Sequence, residues 1–304
     1  MARAAGAMAA RCAAAIVAPV FLILAGCSDA PGRSAADSAP PSPLFYEIAA
    51  ADGSVEGWMF GTIHALPPDT EWRTPAIGRV IDAADLLVVE IAELGDSEGL
   101  AQAFSALATS PGLPPLAERV PADLRPQLAA LMARGDLQEA SFATRETWAA
   151  AITLAQVDAT GDPASGVDRA LIADFAGRPV RELEGARGQL SIFDRLPESA
   201  QAAMLAAVVR ESERARRDPA RLQRAWLAGD AQVIAASTRE GFLADPALRE
   251  ALLTGRNRRW AAALARALAE APRPLIAVGA AHLVGPDGLA ALLEAEGYRL
   301  RRIP

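Results

Sequence analysis

The hydrophobic pattern at the start of the folded region predicts two strands, a helix and a third strand. Thr74 suits the N-cap of that helix, and Pro75 suits its first turn. The last segment is almost continuously apolar, as expected for a strand that is buried on both faces. In chain order we expect a strand over 44–48, a hairpin turn at Asp52-Gly53, a strand over 55–63, a helix over 75–84 and a strand over 85–91.

The rest of the chain is mostly helical in pattern, with sheet residues returning at the C-terminus. Apolar residues recur at helical spacing from about residue 97 to 268, with a further strand expected over 178–184. The apolar run 274–279 predicts a buried strand, which a short helix and an edge strand follow. We therefore predict an α/β fold: a single domain with a central mixed sheet built from both chain ends and a large helical insertion.

The first 26 residues are predicted to be a targeting segment. Two arginines precede a charge-free apolar run at 13–25, which is shorter than the roughly 20 residues of a membrane-spanning helix. The run ends in Leu-Ala-Gly-Cys, which resembles a bacterial lipobox, so Cys27 is expected to carry a lipid anchor. The alternative is an ordinary signal peptide that is cleaved near 34–36. Ser28 in place of an aspartate resembles the sorting signal for the outer membrane, facing the periplasm.

The predicted organisation is a lipoprotein signal peptide over 1–26, a flexible tether over 27–43 and one folded domain over 44–304. The tether is rich in Ser, Ala, Pro and Asp and has no large apolar residues. The whole chain has 304 residues and a formal net charge of −7, which argues against nucleic acid as a partner. Its two cysteines exclude a disulfide framework and a Cys-rich zinc site.

The chain has two histidines, and both occur in a Gly-x-x-His motif at the end of an apolar strand. These motifs are Gly61 to His64 and Gly279 to His282. Open α/β sheets bind ligands at strand ends, and glycine there lets another group approach the backbone closely. We therefore expect the two strands to be neighbours in the sheet and both imidazoles to face one crevice.

Glu90 follows an apolar run, where a buried carboxylate needs a partner. One interpretation is a salt bridge with one of the many arginines. The other is a metal centre, because two imidazoles and a carboxylate are a common ligand set for a catalytic metal with an open position. Such a metal lowers the pKa of bound water to about 7.

Further motifs make the sequence similar to the TraB/GumN family, also called the TraB/PrgY family. The motifs in order are Phe60-Gly61-Thr62-Ile63-His64, Leu87-Val88-Val89-Glu90, Gly166-Val167-Asp168, Glu184 with Gln189, Arg256-Asn257-Arg258-Arg259-Trp260, and Val278-Gly279-Ala280-Ala281-His282. This family is related to the Tiki metalloproteases and, more distantly, resembles ChaN-like and erythromycin-esterase-like folds. The resemblance implies His64, Glu90 and His282 as active-site and metal-binding residues. It also implies manganese or cobalt as the divalent metal, with zinc as a further possibility.

Four other residues are candidates for supporting roles. Arg256 and Asn257 are expected to bind a substrate anion or carbonyl, since arginine binds carboxylates bidentately. The alternative is an N-cap at Asn257 and a surface charge at Arg256. Asp168 and Glu184 are candidates for hydrogen-bond partners of the two histidines, or else for ordinary solvated carboxylates.

A competing motif is Gly95-Asp96-Ser97-Glu98-Gly99, which matches the nucleophile elbow of serine hydrolases. Ser97, Asp168 and His282 follow the order of an α/β-hydrolase triad. Acidic neighbours of Ser97 would oppose the oxyanion that acyl transfer must stabilise, however. This hypothesis also leaves His64 and Glu90 without a role.

The leading hypothesis is a metal-dependent hydrolase or peptidase of the cell envelope. The main alternative is a lipoprotein that binds a peptide or another small ligand without turnover, because the pheromone-related members of the family are described as peptide binders or inhibitors. Haem binding follows only from the distant resemblance to ChaN. The expected partners are therefore a peptide or small molecule, and a membrane through the lipid on Cys27.

Overall fold

A six-stranded mixed sheet lies at the centre of the computed structural model, which describes residues 40–270 and 273–304. The strand order across the sheet is β4-β3-β5-β2-β1-β6. Both chain ends contribute strands, as the hydrophobic pattern predicted. The strands are β1 Phe45–Ala49, β2 Val55–Thr62, β3 Leu86–Val89, β4 Val180–Glu182, β5 Pro274–Gly279 and β6 Arg299–Arg302.

The two Gly-x-x-His strands are neighbours, which confirms that prediction. β2 and β5 pair in parallel, with Gly61 opposite Val278 and Thr62 opposite Gly279. β5 also pairs in parallel with β3, and β3 with β4. β1 is antiparallel to both β2 and the edge strand β6. The carboxyl ends of β2, β3 and β5 therefore meet at one edge of the sheet.

Helices cover most of the remaining described chain. In α1, Thr74 Oγ1 accepts a hydrogen bond from the backbone N–H of Ile77, and Pro75 opens the first turn, as predicted. The α-helices are α1 Pro75–Ala83, α2 Ser97–Leu107, α3 Arg125–Arg134, α4 Thr147–Ala155, α5 Val167–Asp174, α6 Gly185–Asp194, α7 Glu198–Arg217, α8 Arg221–Ala228, α9 Ala231–Ser237, α10 Pro246–Arg249, α11 Gly255–Leu268 and α12 Leu289–Ala295.

The apolar side chains form two main clusters. The first surrounds the sheet, where every residue of β3 and β5 is buried, as their continuous apolar runs require. The second lies within the helical insertion, where Trp148 stacks on Phe193 and meets the edge of Phe104. The helical insertion therefore has a hydrophobic core of its own, separate from the core around the sheet.

Two strands are shorter than the sequence predicted. The expected strand over 85–91 ends at Val89, so Glu90 lies just beyond β3. The expected strand over 178–184 is reduced to β4, because this edge strand pairs only with β3 and ends where β3 ends. Arg178 Nη1 instead donates to the backbone carbonyls of Ile81 and Ala84.

Residues 1–39 lie outside the described residues, so the signal peptide, Cys27 and most of the predicted tether stay predictions. The last tether residues are packed against the domain. Ser42 N–H donates to Leu227 O at 2.8 Å, and Arg302 Nη2 donates to Ser42 O at 2.5 Å. Across 40–270 and 273–304, no helix combines the length and the apolar character needed to cross a membrane.

Candidate functional site

His64 lies two residues beyond β2, and a buried carboxylate orients its ring. Nδ1 is 2.6 Å from Asp168 Oδ2, and Thr62 Oγ1 donates to Asp168 Oδ1 at 2.6 Å. Because an ionised carboxylate only accepts, Nδ1 carries the proton, and in the neutral ring Nε2 carries the lone pair. Nε2 is buried and has no hydrogen-bond partner among the described residues. Burial opposes the charged imidazolium, but Asp168 raises the pKa of His64 above its usual value.

A close backbone contact brings Asp168 to His64. Val167 N–H donates to Ile63 O at 2.9 Å, so the start of α5 is joined to the segment after β2. A Cβ on Gly166 would lie 2.3 Å from His64 O, so only glycine fits there. Burial disfavours the ionised carboxylate, yet His64 and Thr62 together lower the pKa of Asp168 below its usual value. Asp168 is therefore an anion at neutral pH.

Glu90 is buried just beyond β3, with both carboxylate oxygens hydrogen-bonded. Oε1 accepts from the backbone N–H of Gly279 at 2.8 Å. Oε2 accepts from Arg256 Nη2 at 2.8 Å and from Gln189 Nε2 at 3.1 Å. The salt bridge with an arginine, one of the two sequence interpretations of Glu90, is thus present. One lone pair of Oε1 still faces the strand ends.

His282 ends a short 3-10 turn that follows β5 directly. Its Nδ1 is 2.5 Å from Asn257 Oδ1, and Asn257 Nδ2 donates to Asp287 O at 2.7 Å, which fixes the amide orientation. Nδ1 is therefore the protonated nitrogen, and Nε2 faces Arg256 Nη1 at 3.3 Å. Burial and the Arg256 charge lower the pKa of His282 well below its usual value, so the ring is neutral.

Arg256 is an internal cation rather than a surface charge, with only 2% of its area exposed. Its Nε contacts both oxygens of Glu184 at 3.1 Å, while Nη2 bridges Glu184 and Glu90. Nη1 donates to Leu252 O at 3.0 Å, and the guanidinium lies 4.5 Å from the ring centre of Trp260. All three nitrogens thus serve protein groups, and the predicted contact of Arg256 with substrate stays a prediction.

Gly279 marks the point on which the three predicted residues converge. A Cβ built there would lie 3.4 Å from Glu90 Oε1, 3.4 Å from His64 Nε2 and 3.7 Å from His282 Cδ2. The missing side chain therefore leaves a space that two imidazoles and one carboxylate surround. The structure brings together residues that are far apart in sequence, while their chemical roles stay predictions.

The donor atoms around this space fit a divalent cation in part. The Nδ1 atoms of His64 and His282 are each held by a side-chain oxygen, which is how proteins orient metal-binding imidazoles. Across 40–270 and 273–304, His64 Nε2 has no hydrogen-bond partner, and Glu90 Oε1 keeps a lone pair. Arg256, however, lies against His282 Nε2. No group of three His, Cys, Asp or Glu in the described residues forms a complete metal site. His282 would join only after Arg256 Nη1 moves away.

Three supporting residues differ from the sequence expectation. Asn257 and Arg256 were expected to precede a helix, but they lie inside the first turn of α11, which continues from a π-helical turn at Glu250–Thr254. Asn257 therefore caps no helix. Glu184 contacts Arg256 and accepts from Trp260 Nε1 at 3.1 Å, so it acts on the site through the arginine.

Thr62 is a functional contact that the sequence reasoning missed, because a threonine inside a strand motif has the ordinary composition of a strand. Its hydroxyl bonds Asp168, and its strand position follows Gly61, whose carbonyl accepts from Trp226 Nε1 at 2.7 Å. Thr62 is a polar residue at a fully buried strand position, which indicates that its hydroxyl needs a hydrogen-bond partner.

The residues of the proposed serine triad do not come together as that mechanism requires. Asp168 is bonded to His64, whereas Nδ1 of His282 contacts Asn257. Ser97 is an exposed residue in the first turn of α2, well beyond the end of β3, and Asp96 caps that helix. A nucleophile elbow instead needs a sharp turn directly from strand to helix.

Comparison with known proteins gives one match, to the model of the TraB/PrgY/gumN family, over residues 44–302. The matched range contains all six strands and every residue of the site described above. No curated protein and no solved structure matches the chain.

Proposed function

Because the chain belongs to the TraB/PrgY/gumN family, we propose that it is a metal-dependent hydrolase that cleaves peptides with His64, Glu90 and His282. One observation carries the proposal: the buried Nε2 of His64 has no hydrogen-bond partner in the described part of the chain and faces the same space as Glu90 Oε1. A buried acceptor without a partner costs free energy, so a bound ion, water or substrate atom there is favoured.

Charge supports a cation at this point. Three buried carboxylates, those of Glu90, Asp168 and Glu184, surround the site, but Arg256 is the buried cation that faces two of them. Arg259 approaches Glu184 only at 3.8 Å and is largely exposed. Arg169, which is half-buried, adds a positive charge near Asp168. Glu90 and Glu184 share the single buried guanidinium of Arg256, and a divalent cation beside Glu90 would balance the charge that remains there.

In this proposal, three residues bind the metal and two others orient the histidine rings. A divalent cation on His64 Nε2 and Glu90 Oε1, joined by His282 Nε2, would supply a water of lowered pKa and polarise a carbonyl. Asp168 holds the His64 tautomer and orients its lone pair, and Asn257 does the same for His282. Manganese and cobalt are the candidate metals on the family resemblance, with zinc as a third.

Substitution of the three central residues tests the proposal. His64→Ala, His282→Ala and Glu90→Gln should each abolish peptide cleavage and lower the metal content of the purified protein. Ser97→Ala is the matched control, because Ser97 is exposed on α2 and contacts none of the three residues in the argument. Full cleavage in the presence of a chelator, or in either histidine variant, would reject the metal-dependent mechanism.

A binding protein without turnover is the second candidate. It is favoured by the closed network around Arg256, in which Glu90 Oε2 and His282 Nε2 are both occupied by the guanidinium. Capture of peptides by the wild type and by all three site variants, with no product in any of them, would select this candidate.

We also propose that a lipid on Cys27 anchors the domain to the outer membrane, facing the periplasm. The support is the Leu-Ala-Gly-Cys sequence at the end of the apolar run. In cell fractionation, Cys27→Ser should leave the membrane pellet. A variant that stays in the pellet to the same extent as the wild type would contradict the anchor.

A further inference from the structure

An open groove of about 930 Å³ lies beside the candidate site, between α6 on one side and α10 with the start of α11 on the other. The start of α7 closes its floor. Small side chains keep the groove open, among them Gly188, Ala200, Ala247 and Ala251. A Cβ on Gly188 would meet only Glu184 Cβ, at 3.8 Å, so the space above this glycine is empty of protein atoms.

The groove begins at the catalytic end of the sheet. Glu184, the N-cap residue of α6, lines this end of the groove, and the backbone N–H groups of Glu184 and Gly185 both donate to Glu90 O at 3.2 Å. The carboxylate of Glu184 is also joined to Glu90 through Arg256. A ligand at this end of the groove would therefore contact Glu184, which Arg256 links to Glu90 of the proposed reaction centre.

The length of the groove sets the length of its ligand. The groove is lined at intervals of four residues by Glu184, Gly188 and Ile192. Arg195, directly after α6, marks its far end. The eleven steps from Glu184 to Arg195, at a rise of about 1.5 Å each, give the groove a length of about 16 Å. This length accommodates about five residues of extended chain. The lining is largely apolar, with a hydroxyl at Ser199, so apolar side chains suit its middle.

The charges of the groove favour an anionic end group. Both carboxylates that line it are already used: Glu184 binds Arg256, and Asp245 accepts from the backbone N–H groups of Ala247 and Leu248. Two arginines also line the groove. Arg259 donates to Gly255 O and lies 3.8 Å from Glu184. At the far end, the Arg195 guanidinium is exposed and makes no hydrogen bond or ion pair within the described residues. An arginine of this kind is a suitable partner for a carboxylate.

We propose that this groove binds the C-terminal end of a peptide, with apolar side chains along α6 and the terminal α-carboxylate on Arg195. The bond to be cleaved then lies about five residues from the C-terminus, at the Glu184 end of the groove. The position of cleavage rests on the proposed function, whereas the binding of the peptide end does not.

Binding is measured with a fluorescein-labelled pentapeptide, Ala-Leu-Ala-Val-Leu, and with its C-terminal amide. Both are titrated by fluorescence anisotropy into the mature full-length chain carrying His64→Ala, which prevents cleavage. The amide should bind about fivefold more weakly, the range expected for one exposed ion pair. Arg195→Ala should remove this difference and Arg195→Lys should keep part of it. Equal affinity for acid and amide in the parent would overturn the assignment.

A blocked groove gives an independent measurement. Gly188→Leu fills the empty space and should weaken binding of the acid peptide at least about tenfold. Gly78→Leu is the matched control, because Gly78 is also a helical glycine with no atom within 4 Å of its Cβ position, and it lies on α1. Equal binding by these two variants would reject the groove as the peptide site. Myristate that binds more tightly than the peptide, and displaces it, would replace the peptide with a fatty acid.

A cleavage experiment distinguishes a failure of the groove proposal from a failure of the proposed function. A decapeptide that ends in the same five residues is incubated with the wild type, and the products are identified by mass spectrometry. A cut near the fifth bond from the C-terminus supports the register. Cleavage elsewhere, unchanged by Gly188→Leu, overturns it. If Arg195→Ala and Gly188→Leu change peptide binding as expected but the wild type produces no cleavage, the groove is supported and the hydrolase is refuted.

Discussion

The substitution Gly279→Ala should separate catalysis from stability. The backbone of Gly279 has φ −50° and ψ 133°, which alanine adopts without strain. Its new Cβ would meet Glu90 Oε1 and His64 Nε2 at 3.4 Å, a normal van der Waals contact. We expect the free energy of unfolding to change by less than about 1 kcal/mol, since alanine also restricts the unfolded chain. The melting temperature should therefore shift by no more than about 4 °C.

The same methyl group occupies the space that the reaction needs. It would lie 3.4 Å from both His64 Nε2 and Glu90 Oε1, the two atoms that the proposed cation or attacking water has to contact. Cleavage should fall by about a hundredfold or more, comparable to the removal of one positioned catalytic group. Metal content, measured by elemental analysis, should fall in parallel.

Gly61→Ala is the contrasting variant on the neighbouring strand. Its Cβ would lie 3.0 Å from both Cα and Cβ of Ala280, so the backbone of the 3-10 turn has to shift. This variant should lose stability, while Gly279→Ala should lose function. Full cleavage by Gly279→Ala would refute a reaction centre beside this glycine, and a large drop in its melting temperature would refute the packing argument.

Three further predictions concern charged groups. Asp168→Asn should lower the pKa of His64, which Asp168 raises in the wild type, and slow cleavage by about 10- to 100-fold; an unchanged imidazole titration by NMR would contradict this. Arg256→Met removes the buried cation from Glu90 and leaves Glu184 with only the more distant Arg259, so it should cost about 3–5 kcal/mol in urea unfolding; a cost below about 1 kcal/mol would show that the pair is dispensable. The hydrogen bond from Arg221 lowers the pKa of Glu240, so this carboxylate stabilises the fold above its unfolded pKa and loses that effect as pH falls through its lower folded pKa. Glu240→Gln should therefore cost up to about 1 kcal/mol at pH 7 and almost nothing at pH 3, and an equal cost at both values would contradict the ion pair.

The sheet was predictable because its signals are local. The runs that became β3 and β5 are apolar at every position, and the repeated Gly-x-x-His motif indicated that two distant strands end alike. The adjacency of β2 and β5 followed from the chemistry that the motif implies. Strand ends were less predictable, since β4 stops where its single neighbour stops.

The partner of Glu90 was beyond the sequence. Its pair with Arg256 spans 166 positions, and the chain offers many arginines. The position of Asn257 was also beyond the sequence. Its local pattern allowed a helix N-cap, but the π-helical turn before it continues directly into the helix. The groove was also missed, since it depends on how two helices that are distant in sequence lie against each other.

The position of β5 has a consequence for how the protein reaches its active form. This strand lies between β3 and β2 in the sheet, yet it is the last strand but one in the chain. Until synthesis passes Gly279, the edges of β2 and β3 lack their common neighbour, and the helical insertion collapses without it. Such late, long-range pairing slows folding and leaves strand edges open to association. His282 and the N–H that holds Glu90 arrive in the same step, so a nascent or truncated chain has no assembled centre. The candidate site is thus assembled only when synthesis of the chain is nearly finished.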